Sequence, residues 1–214
     1  VPIRSAEARH VRIGTVRTSR GQGVGVRSVR IMGPEFAESP NVMFQTITRE
    51  TREGLYPRYF LGRQTPWTVV GVPGDAREGL FNTDGALEVD KLGFRIEPFI
   101  LTSDRLITWA DTASSPSLAQ GYLPVPSVTW TTDALRLEIT AFADGEAGAS
   151  TLVVRYRLSN CGEQRTTGRL ALAIRPFQVL PPWQDLNVTG GVAGVDTIAF
   201  DGRRIVVNGR KVVL

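Results

Sequence analysis

Arg175, Gln178, Trp183, Gln184 and Asp185 fall within eleven positions of one another. They are the candidates for contact with a ligand or a neighbouring domain. The guanidinium of Arg175 offers a planar fork to a carboxylate. The indole of Trp183 offers a flat apolar surface to the C–H face of a sugar ring. Gln178, Gln184 and Asp185 are its nearest polar company. A competing reading has Arg175 and Asp185 pair with each other and pin the loop that carries them.

The other reactive side chains do not assemble into a recognisable catalytic set. Glycoside hydrolysis needs two carboxylates facing across a cleft. Glu88 and Asp90 sit two apart on an expected strand, share one face, and read as acids on a wet surface. Glu138 reads the same way. His10 is the only histidine, so a catalytic triad or a histidine-based metal site lacks parts. No carboxylates have calcium-loop spacing. Cys161 is the only cysteine, so no internal disulfide forms. It lies in an expected turn without a cationic neighbour to activate it. Gly21-x-Gly23-x-Gly25 has neither dinucleotide spacing nor a helix pattern after it. Asn187-Val188-Thr189 matches a glycosylation sequon, read as a chance match. No catalytic residue, metal or cofactor is expected.

The ligand candidates sit where a strand is stopped. In Arg169–Arg175, Leu170, Leu172 and Ile174 point one way and Ala171, Ala173 and Arg175 the other. Pro176 and Pro181-Pro182 cannot extend a sheet ladder. A buried strand feeding a rigid loop is a common way to present a binding surface.

The remaining elements alternate with a period of two. WTVVGV (67–72) and ALEVD (86–90) are expected strands, the second after a tight Asp84-Gly85 turn. Phe94, Ile96 and Pro98 oppose Arg95 and Glu97. FILTSDRLITWAD (99–111) is expected to be a hairpin turning at Ser103-Asp104. Residues 113–121 read as a polar loop. In YLPVPSVTWTT, Pro124 and Pro126 suggest an edge strand. LRLEITAFA (135–143) is a further strand. TLVVRYRLSN (151–160) is expected to pair with RLALAIRPF (169–177). TIAFDGRRIVVNGRKVVL holds three short strands turning at Asp201-Gly202 and Asn208-Gly209. Trp67, Trp109 and Trp130 fall in strand patterns and are expected in the core. Residues 41–53 fit either a strand or a short helix. Elsewhere no dozen residues keep helical periodicity. The fold class is therefore all-β: an antiparallel β-sandwich, supersandwich-like, and a piece of a larger protein. The chain ends in a bare strand, KVVL, and a continuation is expected.

With 214 residues and 42% hydrophobic content, the chain can bury a substantial core. The net charge of +4 is uneven. Residues 1–34 hold seven arginines against Glu7, a net +6, which leaves −2 for the rest. Arginine alternating with valine and isoleucine reads as the wet face of strands. Without an aromatic ladder or a helix-turn-helix pattern, nucleic acid is not an expected partner. No stretch approaches the roughly 18 apolar residues of a bilayer span, so neither is a membrane.

Two resemblances refine this outline. ARHVRIGTVRTSRGQGVGVRSVRIMGPE (8–35) resembles the last two strands of a discoidin-like domain, the coagulation-factor type C jelly roll that binds sugar or lipid. That family's binding loops lie upstream of such a segment, so none of its binding residues carries over. Residues 60–210 resemble the N-terminal β-supersandwich domain of large bacterial proteins related to six-hairpin glycosidases and to sugar phosphorylases. The marks are WTVVG (67–71), ALEVDK (86–91), IEPFI (96–100), YLPVPSVTW (122–130), LVVRYRLSN (152–160) and RLALAIRPFQVLPPWQ (169–184). The resemblances imply three parts: discoidin-like terminal strands over 1–34, a linker over 35–66, and a supersandwich-like domain over 67–214. In such proteins the catalytic carboxylates lie in a helical barrel further along the chain. This part is then non-catalytic, supports or lines the cleft of that barrel, and has neighbouring domains and carbohydrate as partners. A freestanding carbohydrate-binding module and a structural or interaction domain are the alternatives. Cell compartment stays open.

Overall fold

A computed structural model describes residues 10, 12, 29–185 and 189–214. The first expected hairpin lies almost wholly outside them; its last residues, 29–32, are described and are not in a strand. Asn187 of the sequon is also outside.

Two antiparallel sheets form a β-sandwich. The first runs β1 (Trp67–Val70), β2 (Gly79–Asn82), β3 (Leu87–Glu88), β4 (Arg95–Thr102) and β10 (Gly168–Arg175), with β5 (Leu106–Ile107) also on β4. The second runs β6 (Ala113–Ala119), β7 (Leu123–Thr131), β8 (Leu135–Asp144) and β9 (Thr151–Asn160). A separate three-stranded sheet holds β11 (Ile198–Phe200), β12 (Ile205–Val207) and β13 (Lys211–Val213). Its two turns fall at the expected Asp-Gly and Asn-Gly pairs. Asn208 and Gly209 both take left-handed backbone in the three-residue link between β12 and β13, where Val207 pairs with Lys211.

Alternation explains the core. On β8, Leu135, Leu137, Ile139 and Ala141 all point inward and are buried. Trp130 and Val128 of β7 lie beside Leu137 and Ile139 in register. Phe81, Leu87, Ile100 and Ile107 meet them from the opposite sheet. Burying each such side chain contributes roughly 1.5–3 kcal/mol. Trp109 and Trp130 are in this core, while Trp67 is half-buried.

Three expectations need correction. Residues 113–119 form β6 instead of a polar loop. Their serines and Pro116 point to water on a strand whose backbone bonds to β7. β7 is not an edge strand, since it pairs with β6 and with β8. Its prolines are tolerated because pairing with β8 begins only at Ser127, and the β6 register slips between Leu118 and Ala119. β9 and β10 do not pair with each other. β9 joins β8 and β10 joins β4, so residues 161–167 carry the chain between sheets.

The outer face of the first sheet is partly covered. Helix α1 (Pro40–Arg49) resolves the ambiguous segment: Ser39 caps it by accepting from the Val42 amide, and Pro40 takes the first turn, where no amide is needed. It leads to a 3-10 turn (Arg58–Leu61). Phe44, Tyr56, Tyr59 and Phe60 pack there against Phe177 and Val192. The segment expected as a linker thus holds ordered, packed structure.

Candidate functional site

Residues 176–193 make a loop whose ends meet. Phe177 bridges to Val192, and the Ala193 amide donates to the Pro176 carbonyl at 3.0 Å. Inside, Gln178 donates from its backbone amide to Gly191 (2.7 Å) and from Nε2 to the Thr189 carbonyl (2.9 Å). The Gly191 amide returns a bond to Leu180 (2.8 Å). The helical segment holds the same loop from outside. Asn41 Oδ1 accepts from the Val192 amide at 2.8 Å, and the Tyr59 hydroxyl lies 3.1 Å from the Gln178 carbonyl.

Beneath the loop lies a buried ionic cluster. Because Arg175 faces Arg95 and Ala173 faces Glu97 in the β4–β10 register, Arg95, Glu97 and Arg175 share the outer face of the sheet. Glu97 accepts from Arg175 Nη1 at 2.6 Å and pairs with Arg95 Nη2 at 2.9 Å. Arg175 also donates to the Leu55 carbonyl, and its guanidinium stacks 4.7 Å from the Phe177 ring centre and 4.9 Å from that of Tyr56. Glu88 of β3 lies opposite Arg95 and accepts from the Val179 amide at 2.6 Å. Burial pushes the Glu88 carboxyl up to about 7, against the pull of the Val179 and Leu180 amides and of Arg95 and Lys211. Glu88 is therefore not a wet-face acid; it is 3% exposed. Burial likewise raises Tyr59.

The five sequence candidates divide between the two sides of the loop. Arg175 and Gln178 lie on its inner side; Gln178 is fully buried, and Arg175 is spent on Glu97 and Leu55. Trp183 stands outside, 52% exposed, with its ring edge-on to Tyr59 at 6.4 Å. Asp185 is exposed and bridges to Thr189, while Gln184 is half-buried beside them. Arg175 pairs with Glu97, so the competing Arg175–Asp185 pair does not form. Glu88, Arg95 and Glu97 were not singled out from sequence as parts of this region. The opposite charges two apart in Arg95-x-Glu97 were the available signal, since residues at that spacing share a strand face.

No family model, curated protein or solved structure matches this chain. Among the described residues no cluster of three or more histidine, cysteine or acidic side chains is placed to hold a metal. No helix among them is long and apolar enough to cross a membrane.

Gly191 tests the rigidity of the loop. Its φ is +97°, and an added Cβ would lie 2.2 Å from Asn41 Oδ1. Gly191→Ala is expected to cost about 1–3 kcal/mol through backbone strain and the displaced Asn41 bond. Thermal denaturation measures the loss. A red shift of Trp183 fluorescence would report the indole leaving Tyr59. An unchanged melting temperature would mean that the loop tolerates the turn without glycine.

Proposed function

We propose that this is a non-catalytic β-sandwich domain of a carbohydrate-active-type multidomain protein, which supports or lines the substrate cleft of a helical catalytic domain. The observation that carries the reading is Trp183: a half-exposed indole on a loop locked at both ends and underneath. A flat apolar face held in place stacks on a sugar ring without first losing conformational freedom. The acids below it, Glu88 and Glu97, are closed from solvent and engaged by backbone amides and guanidiniums. They support the sheet and face no open cleft. The supersandwich resemblance over residues 60–210 supplies the multidomain setting.

The test is a titration of the ¹⁵N-labelled chain with malto- and cello-oligosaccharides, following the Trp183 indole resonance. Cleft lining predicts a saturable shift in the millimolar range, near −4 kcal/mol of binding energy; a freestanding module predicts a micromolar one, near −8 kcal/mol. Trp183→Ala, followed at the backbone amides of the loop, should remove the response and cost only about 1 kcal/mol of stability, the scale of a half-buried aromatic contact. No response to any oligosaccharide would sink the sugar-contact reading. Turnover of aryl-glycosides by this chain would sink the non-catalytic one.

A further inference from the structure

The small sheet β11–β13 is apolar on both sides. Ile198, Phe200, Ile205 and Val207 share one face; Ala199, Val206 and Val212 share the other. Strands with apolar residues at successive positions are ordinarily covered on both faces. Here only part of one face is. Val207 is buried, and Lys211 anchors the sheet by donating to the Val89 carbonyl at 2.8 Å. β11 is exposed along its whole length, Ile198 at 54% and Phe200 at 68%. It is also an edge strand, paired with β12 alone. The Asn208 amide donates to the Thr197 carbonyl at 2.9 Å, and the Asp201 amide to the Arg204 carbonyl at 3.2 Å. By alternation, the amides and carbonyls of Ile198 and Phe200 therefore point away from β12, along the open edge.

We propose that β11 pairs antiparallel with β11 of a second copy of this chain, about a two-fold axis at Ala199, joining the two small sheets into one. The edge is complementary to itself in backbone, side chain and charge. With the free backbone groups at 198 and 200, Ile198 of one copy stands opposite Phe200 of the other, and each such pair closes two hydrogen bonds. Both pairs lie on one face, and a β-branched side chain against an aromatic one is a favourable cross-strand combination. The same register sets Asp196 opposite Gly202 of the other copy and beside its Arg203. Asp196 and Arg203 are exposed and opposite in charge, and neither enters an ion pair among the described residues. Two-fold symmetry makes that contact twice. Parallel pairing would instead set Asp196 against Asp196. An edge this short buries less than the ~1,000 Å² of a stable interface, so the dimer is weak and concentration-dependent.

The experiment is sedimentation velocity of the intact chain from micromolar to near-millimolar concentration. A monomer–dimer equilibrium is expected, with a dissociation constant on the order of 100 µM. A monomer at every concentration overturns the proposal, and so does growth into larger oligomers, since a two-fold contact closes on itself. Ile198→Pro removes an outward amide that β12 does not use, a change an edge strand tolerates. It should abolish the dimer; a dimer that survives it uses another surface and overturns the proposal. The register is tested by charge, at surface positions where substitution is nearly neutral for folding. Arg203→Asp should weaken association by at least about tenfold, and adding Asp196→Arg in the same chain should restore it. Melting temperatures confirm that each variant is folded. Failure of the swapped pair to restore the dimer overturns the register. None of these variants touches the Trp183 loop, so the outcome is independent of the carbohydrate reading.

Discussion

Glu97→Ala is expected to lower the unfolding free energy by about 3–5 kcal/mol, the cost of breaking a buried ion pair from one side. The carboxylate is 4% exposed and sits between two guanidiniums, Arg95 at 1% and Arg175 at 18% side-chain exposure. Removing it leaves two positive charges facing each other in a largely buried site. Such a loss measures the uncompensated charges more than the worth of the original pairs. A companion variant separates the two. Arg175→Met keeps the apolar stem against Tyr56 and Phe177 and removes one charge. In the Glu97→Ala background it should restore part of the loss, and the double-mutant cycle then gives the coupling. Urea denaturation provides the numbers. A cost under about 1 kcal/mol for Glu97→Ala would mean that the cluster is hydrated and the loop does not seal it.

Glu88→Gln is expected to stabilise the protein at neutral pH and to remove part of its pH dependence. The folded-state value of Glu88 is about 7, raised from 4.5 by burial. A carboxyl raised in this way binds its proton more tightly folded than unfolded. Its contribution is fully present below about pH 4.5 and is lost as pH rises through 7. The shift corresponds to roughly 3 kcal/mol over that window. Four groups moderate it from the elements around Glu88: the Val179 and Leu180 amides in the loop, Arg95 on β4 and Lys211 on β13. Glutamine keeps an oxygen for the Val179 amide and carries no charge. The stability difference between variant and parent should therefore grow in favour of the variant from pH 4.5 to pH 7 and level off above it. Melting curves at half-unit pH steps resolve this. A difference that stays flat across the range would show that Glu88 is solvated in the folded state.

The sequence legibly gives strands, and only in part gives faces. On β8 the alternation of Leu135, Leu137, Ile139 and Ala141 with Arg136 and Glu138 has a single solution, because one face of that sheet remains wet. On β3 and β4 the same periodicity places Glu88, Arg95 and Glu97 away from the sandwich core, yet the wet surface expected for Glu88 is not found. Their face is covered by chain from elsewhere: Leu55 and Tyr59 from one side, Val179 and Gln178 from the other. Arg175 meets Leu55 across 120 residues, and the Tyr59 hydroxyl meets the Gln178 carbonyl across 119. No local pattern announces contacts at that separation. The β9–β10 link shows the same limit. Two long strands either side of a short polar stretch look like a hairpin, and only the competing partners β8 and β4 decide otherwise.

For the candidate site, residue type and proline stops were enough to mark the loop that follows Arg175 and to set Trp183 apart from Trp109 and Trp130 of the core, though not to tell that Trp67 is only half-buried. Which way each side chain of that loop points was settled by tertiary packing. Gln178 turns inward because Thr189 and Gly191 meet its amide groups, and Arg175 is drawn down because Glu97 waits beneath it. Period-two patterning encodes that a strand has two sides. Whether a side meets water, another sheet or a returning loop depends on segments that patterning does not connect.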